Sequence, residues 1–453
     1  MTTRLKIALI QPSRYLPNGQ LARSKGFLFP SLTFPLLAAL APDDVEIVIR
    51  DDRFGEVDFA EKVDLVGITS YTTNVIRAYE IADEYRRRKV PVLMGGMHIS
   101  MEPEEAADHA DTVIVGEAEE TWPQFIEDFK NGKAKPRYIA EEYPALEHLP
   151  VPRFSLLNRD HYVAWRRRSI SRFLPVPILP IQTARGCPHN CEFCSVTAFS
   201  GRQYRVRPVV DVVNEIRALD LKACFFVDDN IFADRRRAKE LFQALIPLRI
   251  RWASQGTIGA ARDPELLRLA RESGCMMMFI GLESIVPQHL REVGKHQNQV
   301  EDYGQLLKGY RDADISVTAA MVFGFDSQPA SCFDETCDFL IGHGVRYTSW
   351  YPLMPYPGTL YLEKLRSQGR LKDPKWWLNR FLSNDFWTLK FTRLPMGEEA
   401  FWKGFFRAYK RFYSPVSILK RVLMSRGRRR FLVALLNFWV AGRVPGHTGL
   451  FEA

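Results

Sequence analysis

The chain has 453 residues, 46% of them apolar, more than one hydrophobic core organises, so two or three domains are expected. Met1 to Lys6 runs straight into the strand-like IALIQP, with no basic stretch followed by an apolar one, so a secreted chain is not expected and the cytoplasm is the expected compartment. Seven cysteines, an odd number, argue there against a disulfide framework, and the formal net charge of +9 is local: Pro395 to Arg443 holds eleven Lys and Arg against Glu398 and Glu399.

Up to about Gly132, short apolar runs alternate with amphipathic ones. RLKIALIQP, VEIVIRDD, DLVGITSYTT, VPVLMGGMH and DTVIVGEAE read as five strands, with helical segments around PSLTFPLLAALA, NVIRAYEIADEYRRR and TWPQFIEDFKNG. This alternation predicts an α/β unit over 1–132, a Rossmann-like, doubly wound parallel sheet whose binding edge lies at the carboxyl ends of its strands. Gln11 to Ser13, Ser70 to Asn74, Gly95 to His98 and Gly116 to Glu119 fall on that edge. Over 133–176 the pattern dissolves into Pro, Arg and Tyr, which reads as a linker.

A second series follows over 177–375. ILPIQTARG, ACFFVDDN, IRWASQGTI, MMMFIGLES, ISVTAAMVFGF and YTSWYPLMPY read as strands, separated by helical segments such as VVDVVNEIRALD and DPELLRLARESG. Six strand-helix steps predict a partial parallel (βα)6 barrel of TIM type, with its site at the carboxyl ends of the strands. The remainder, 376–453, is a basic, aromatic-rich and mainly helical extension.

The first of these barrel strands leads into RGCPHNCEFC, which places Cys187, Cys191 and Cys194 at the spacing C-x3-C-x2-C. Pro, Gly and Asn make the stretch a loop, and thiolates so spaced in a turn can face one centre. Zinc normally takes four closed ligands or three plus water, and His189 is the only further candidate nearby. A four-iron, four-sulfur cube on three thiolates keeps one iron open for a ligand.

This motif, with the aromatic Phe193 just before its last cysteine, resembles the signature of the radical S-adenosylmethionine (SAM) superfamily. The resemblance implies that Cys187, Cys191 and Cys194 hold a [4Fe-4S] cluster, that SAM chelates the open iron, and that an electron splits SAM into methionine and a 5′-deoxyadenosyl radical. It also implies a low-potential electron donor such as flavodoxin or ferredoxin. FFVDDN stands where many relatives carry Gly-Gly-Glu for the SAM amino group, which makes Asp228, Asp229 and Asn230 candidates. IGLES offers Glu283 and Ser284 to ribose hydroxyls, with capping of the next helix as the alternative. Gly324 in VFGFD would let backbone approach adenine, or is a structural glycine.

TSYTTN and GGMH, ahead of such a barrel, resemble the loops of a cobalamin-binding domain. The resemblance assigns Ser70, Thr72, Asn74, Gly95, Gly96, His98, Gly116 and Glu117 to the corrin and its nucleotide tail. Alone, these loops suit any phosphate-bearing ligand. D-x-H-x-x-G, which gives cobalt a lower-axial histidine in methionine-synthase-like domains, is absent, since the first strand is followed by QPSRYLPNG. His98 is the one imidazole in a nearby loop, with a structural hydrogen bond as its alternative role.

The order of units and MPYPGTLYLEKL resemble most the group of radical SAM methylases and the oxygen-independent porphyrin-ester cyclase. The reaction expected from this resemblance is cobalamin-dependent methylation of an unactivated carbon. The alternatives are an oxidative cyclisation or rearrangement without methyl transfer, and a non-catalytic cobalamin- or metal-responsive protein. A bulky hydrophobic or anionic small-molecule substrate, such as a lipid or tetrapyrrole, fits the apolar WYPLMPYPGTLYL loop. The tail reads either as helix packed on the body or as a basic amphipathic segment peripheral to an anionic membrane. No nucleic acid is expected, for no nucleic-acid module accompanies the basic run.

Overall fold

A computed structural model describes residues 4–16, 18–24, 29–162, 178–383, 388–392, 394–424 and 437. Part of the expected linker, and the tail beyond residue 424 apart from Asn437, lie outside the described residues.

The first sheet contains β1 (Leu5–Gln11), β2 (Val45–Asp51), β3 (Leu65–Thr69), β4 (Val92–Gly95), β5 (Thr112–Val115) and β6 (Arg137–Ile139). All pair in parallel, in the order β2-β1-β3-β4-β5-β6. β1 lies between β2 and β3, and its run Ile7 to Ile10 is buried on both faces, as a parallel strand covered by helices requires. Strand order reverses between β1 and β3, so the loops after these two strands splay apart and open a crevice. β6 is a sixth strand beyond the five read from sequence, and it begins the stretch read as linker. Three residues with one buried side chain, Tyr138, carry too little periodicity to be seen in advance.

The second sheet contains β7 (Ile178–Ile181), then, beyond a small antiparallel pair formed by β8 (Ala184–Arg185) and β9 (Arg205–Val206), β10 (Ala223–Phe226), β11 (Arg251–Gly256), β12 (Cys275–Glu283), β13 (Ser316–Phe323) and β14 (Tyr347–Pro352). Its six parallel strands run in the order β14-β13-β12-β11-β10-β7, the open arc of a partial barrel. Both sheets agree with the expected fold class.

The two halves share a core. Met354, Leu362, Trp376 and Trp377, which follow β14, are buried in one cluster with Ile10, Ile68 and Met94 of the first sheet and Tyr79 of the helix Val75–Arg87 packed on it. The basic extension is likewise docked in its described part. Helix Glu398–Phe412 buries Phe401, Phe405, Ala408 and Phe412 on one stripe, and its Gly404 lets the Phe333 ring of helix Cys332–Gly342 lie against its backbone. Arg421 is fully buried, donating to the Arg346 carbonyl at 2.6 Å and to the Phe412 carbonyl at 2.7 Å. This charge is therefore an internal tie between the extension and the start of β14.

Candidate functional site

The carboxyl ends of both sheets open on one cavity of about 1090 Å³. That is at or above the roughly 300–1,000 Å³ of a drug-sized ligand site, so there is space for more than one small group. On the first sheet's side it runs as an apolar slot past Leu9, Gly67, Leu93 and Ile114 to Leu37 and Trp122. On the barrel side it meets Gln182, Arg185, Asp229 and Tyr351, and the extension adds Tyr409.

The cysteine loop hangs from β8. Gly186 has φ +81°, and a Cβ there would strike the Gln203 carbonyl oxygen, so only glycine begins this turn comfortably. Its N–H donates to Asp229 Oδ2 at 2.8 Å. Within the loop, Cys194 N donates to the Cys191 carbonyl at 3.1 Å, while Glu192 N donates to the Val293 carbonyl at 2.9 Å. Burial pushes the Cys187 and Cys191 thiols up. Two side-chain amides point at sulfur: Asn230 Nδ2 lies 3.9 Å from Cys187 Sγ, and Gln297 Nε2 lies 3.5 Å from Cys191 Sγ. Three soft thiols with N–H donors behind them fit an iron–sulfur cluster. Among the described residues no three His, Cys, Asp or Glu converge as one ion requires. A cube instead takes each thiolate on a different iron.

The structure separates the two aspartates after β10. Asp228 is fully buried and accepts from Thr183 N at 2.7 Å and from Thr183 Oγ1; burial pushes its carboxyl up to about 6. It braces the barrel wall, and of the two aspartates it is Asp229 that lines the cavity. Asn230 backs the cysteine loop. Glu283, at φ +65°, forms a buried ion pair with Lys295 at 2.6 Å. Ser284 Oγ contacts His289 Nδ1 at 2.8 Å and accepts from Val286 N at 3.0 Å, which is local turn chemistry leading into helix Pro287–Glu292. Gly324 has φ +110°, and a Cβ there would meet Phe391 at 3.2 Å, so packing and conformation account for this glycine. Phe193 packs against the barrel core.

On the first sheet's side the cavity meets polar residues, among them Gln11, Thr69, Thr73, Asn74 and Glu117, as well as glycines. Gly95, Gly96 and Gly116 line it. Gly96 has φ +100°, and a Cβ would strike Thr69 Oγ1, so this position has room for hydrogen alone. Ser70, Thr72 and His98 do not line the cavity; they lie behind it, where Thr72 Oγ1 is 3.2 Å from His98 Nδ1 and Ser70 Oγ is 3.3 Å from Asn74 Oδ1. Asn74 reaches the cavity edge, but its amide is spent on the Pro12 carbonyl at 3.1 Å and on Tyr71 N at 2.9 Å. His98 Nε2 faces Glu105 Oε1 at 3.4 Å. Burial by itself would raise the Glu105 carboxyl, but hydrogen bonds from His98, Lys375 and Trp377 outweigh it and hold it at about 2. Buried polar groups demand such partners, so these residues shape the loops from behind.

Glu117 serves the junction between the halves. It pairs with Arg185 at 2.6 Å and with Arg205, and Arg185 also pairs with Glu119. The arginine of RGC thereby ties the cysteine loop to the loop after β5. Sequence reading missed Arg185, Arg205, Lys295 and Gln297, since nothing local marks partners that lie from 12 to 106 residues away. Tyr409, also missed, carried only the signal of an aromatic in the tail.

Comparisons with known proteins agree with this arrangement. The Radical SAM superfamily model matches residues 181–340 and the B12 binding domain model matches residues 24–126. Bacteriochlorophyllide d C-12(1)-methyltransferase of Chlorobaculum tepidum is 29% identical over 96% of this chain and 92% of its own. Bacteriochlorophyllide d C-8(2)-methyltransferase of the same organism is 30% identical over 75% of this chain and 77% of its own. Anaerobic magnesium-protoporphyrin IX monomethyl ester cyclase of Cereibacter sphaeroides is 25% identical over 84% and 65%. The solved structure of the radical enzyme OxsB with aqua-cobalamin and S-adenosylmethionine bound superposes with a TM-score of 0.66 at 12% identity, covering 98% of this chain and 74% of that one, a likeness of fold.

Proposed function

The chain belongs to the B12-binding radical SAM family, and on that premise we propose that it methylates an unactivated carbon of a tetrapyrrole. Its cofactors are a [4Fe-4S] cluster, SAM and cobalamin. When bound, these groups supply hydrogen abstraction from carbon and the methyl group that replaces the hydrogen.

The chain's own residues do the rest. Cys187, Cys191 and Cys194 are assigned to the cluster. Asp229, the aspartate that lines the cavity, is assigned to the SAM ammonium, and through Gly186 N–H it also fixes the start of the cysteine loop. Gly96 and Gly116 leave backbone free to approach the corrin and its tail, and the apolar slot past Leu9 and Ile114 suits that tail's aromatic end. Phe199, Trp350, Tyr351 and Tyr409 offer an aromatic wall to a flat macrocycle and keep bulk water from the reacting carbon.

The observation that carries methyl transfer is the shared cavity: two sheets that each present a cofactor edge open on the same space, so both groups can act on one carbon. The tetrapyrrole rests on the similarity to two bacteriochlorophyllide methyltransferases along most of the chain. Anaerobic turnover of bacteriochlorophyllide d with SAM and a low-potential reductant is expected to add one CH2 to the product and to release S-adenosylhomocysteine together with methionine and 5′-deoxyadenosine. Loss of hydrogen or gain of oxygen without S-adenosylhomocysteine would point to the cyclase reaction instead.

Among the described residues no helix is long and apolar enough to cross a membrane. We assign the enzyme to the cytoplasm, with a flavodoxin or ferredoxin as electron donor. Helix Pro415–Leu423 exposes Val416, Leu419 and Leu423 on one stripe beside Lys420, which supports peripheral contact with an anionic bilayer. An L419S/L423S chain should then co-sediment less with anionic vesicles than the native one, and equal sedimentation would remove this assignment.

A further inference from the structure

The segment Val293–Asn298, GKHQN with its preceding valine, belongs to no motif read from the sequence, yet it is fastened between the cysteine loop and the end of β12. The Val293 carbonyl accepts from Glu192 N at 2.9 Å. Gly294, at φ +67°, lies so close that a Cβ would meet the Asn190 carbonyl oxygen at 3.2 Å. Lys295 Nζ is locked to Glu283 at 2.6 Å, and Asn298 Nδ2 donates to the Gly281 carbonyl at 2.9 Å. Between these anchors Gln297 is held half-buried with Nε2 3.5 Å from Cys191 Sγ. Across the loop, buried Asn230 aims Nδ2 at Cys187 Sγ, 3.9 Å away, while its Oδ1 accepts from Phe232 N at 3.3 Å.

We propose that Gln297 and Asn230 are positioning residues that set the reduction potential of the cluster through N–H···S hydrogen bonds to two of its three cysteines. The inference rests on the assignment of Cys187, Cys191 and Cys194 to the cluster. A donor at sulfur draws charge from the iron–thiolate bond and stabilises the reduced, more negative state. Neither amide has another acceptor among the hydrogen bonds that hold it, whereas the carbonyl of Asn230 is occupied, so the two N–H groups are what these side chains offer the site. Glutamine and asparagine carry no charge at any working pH, which makes the contribution independent of protonation.

The test is redox titration of the reconstituted full-length protein, followed by the electron paramagnetic resonance (EPR) signal of the reduced cluster. Gln297→Leu and Asn230→Leu remove the donors at similar volume without adding charge, and Gln297→His keeps a ring N–H that is neutral at pH 8, where the titration is run. The two leucine variants should lower the reduced fraction at a fixed solution potential by on the order of tenfold, which is about 59 mV for one electron. Gln297→His should not lower it. If Gln297→Leu costs the chain its cluster, Asn230→Leu provides the same comparison. Native potential in both leucine variants, or an equal fall in Gln297→Leu and Gln297→His, would overturn the proposal and leave the cluster assignment standing. A native chain that binds no cluster at all would overturn that assignment, and the proposal with it.

Discussion

The two sheets meet the same cavity by different means. On the barrel, Gln182, Arg185 and Asp229 line it, and Arg185 leads into the loop of three thiols, behind which stand the amides of Asn230 and Gln297. On the N-terminal sheet, Gly95, Gly96 and Gly116 line it among polar residues, while Ser70 and Thr72 of the same loops are turned onto Asn74 and His98. The difference follows from the ligands. A cluster needs covalent ligands, whereas a large corrin with a long tail needs close approach and a preformed slot.

That contrast can be broken at its strongest point by Cys191→Ala. The variant should lose essentially all cluster iron and all turnover while retaining cobalamin, as metal analysis of the reconstituted chain would show; simultaneous loss of cobalt would mean that the halves do not bind independently. A smaller effect is expected behind the glycine loop. Glu105 is held at about 2 against an ordinary 4.5, so its stabilisation is complete above about 4.5 and disappears as pH falls toward 2. Two and a half pH units correspond to about 3 kcal/mol. Glu105→Gln should therefore be less stable by about that amount at pH 7 in urea unfolding, with the gap to the native chain closing in acid.

Gly96→Ala sharpens the backbone half of the contrast. Its extended left-hand conformation, φ +100° and ψ −179°, is nearly reserved for glycine, and a strain of about 1–3 kcal/mol is expected together with weakened cobalamin retention. His98→Gln should cost about 1–2 kcal/mol through the lost contacts to Thr72 and Glu105. The cob(II)alamin spectrum of this variant should be unchanged, and a change would return His98 to the cobalt.

Much of this was legible in the chain itself. Every predicted strand has its counterpart, because parallel strands covered on both faces read as apolar runs such as IALI and ACFF. The cysteine spacing was local and therefore visible. What escaped was partnership. Ser70, Thr72 and His98 are polar residues on a binding edge, and sequence alone cannot tell a side chain that faces a ligand from one that braces the loop behind it. Glu117 looked like a loop carboxylate until its partner Arg185 was placed beside it by the packing of two domains. Asp228 and Asp229 are adjacent in sequence, and only the direction of the strand end decides which reaches the cavity. The basic tail, ambiguous by composition, proved to bury Arg421 and a stripe of aromatics in its described part.

The central claim is that both metal cofactors open on one cavity, and the spin coupling between them tests it most directly. In protein reconstituted with iron, sulfide and cobalamin and then reduced to the paramagnetic cluster and cob(II)alamin, each EPR signal should be broadened by the other. Spectra identical to the sum of singly loaded samples would place the two cofactors too far apart to share a substrate carbon and would contradict the account.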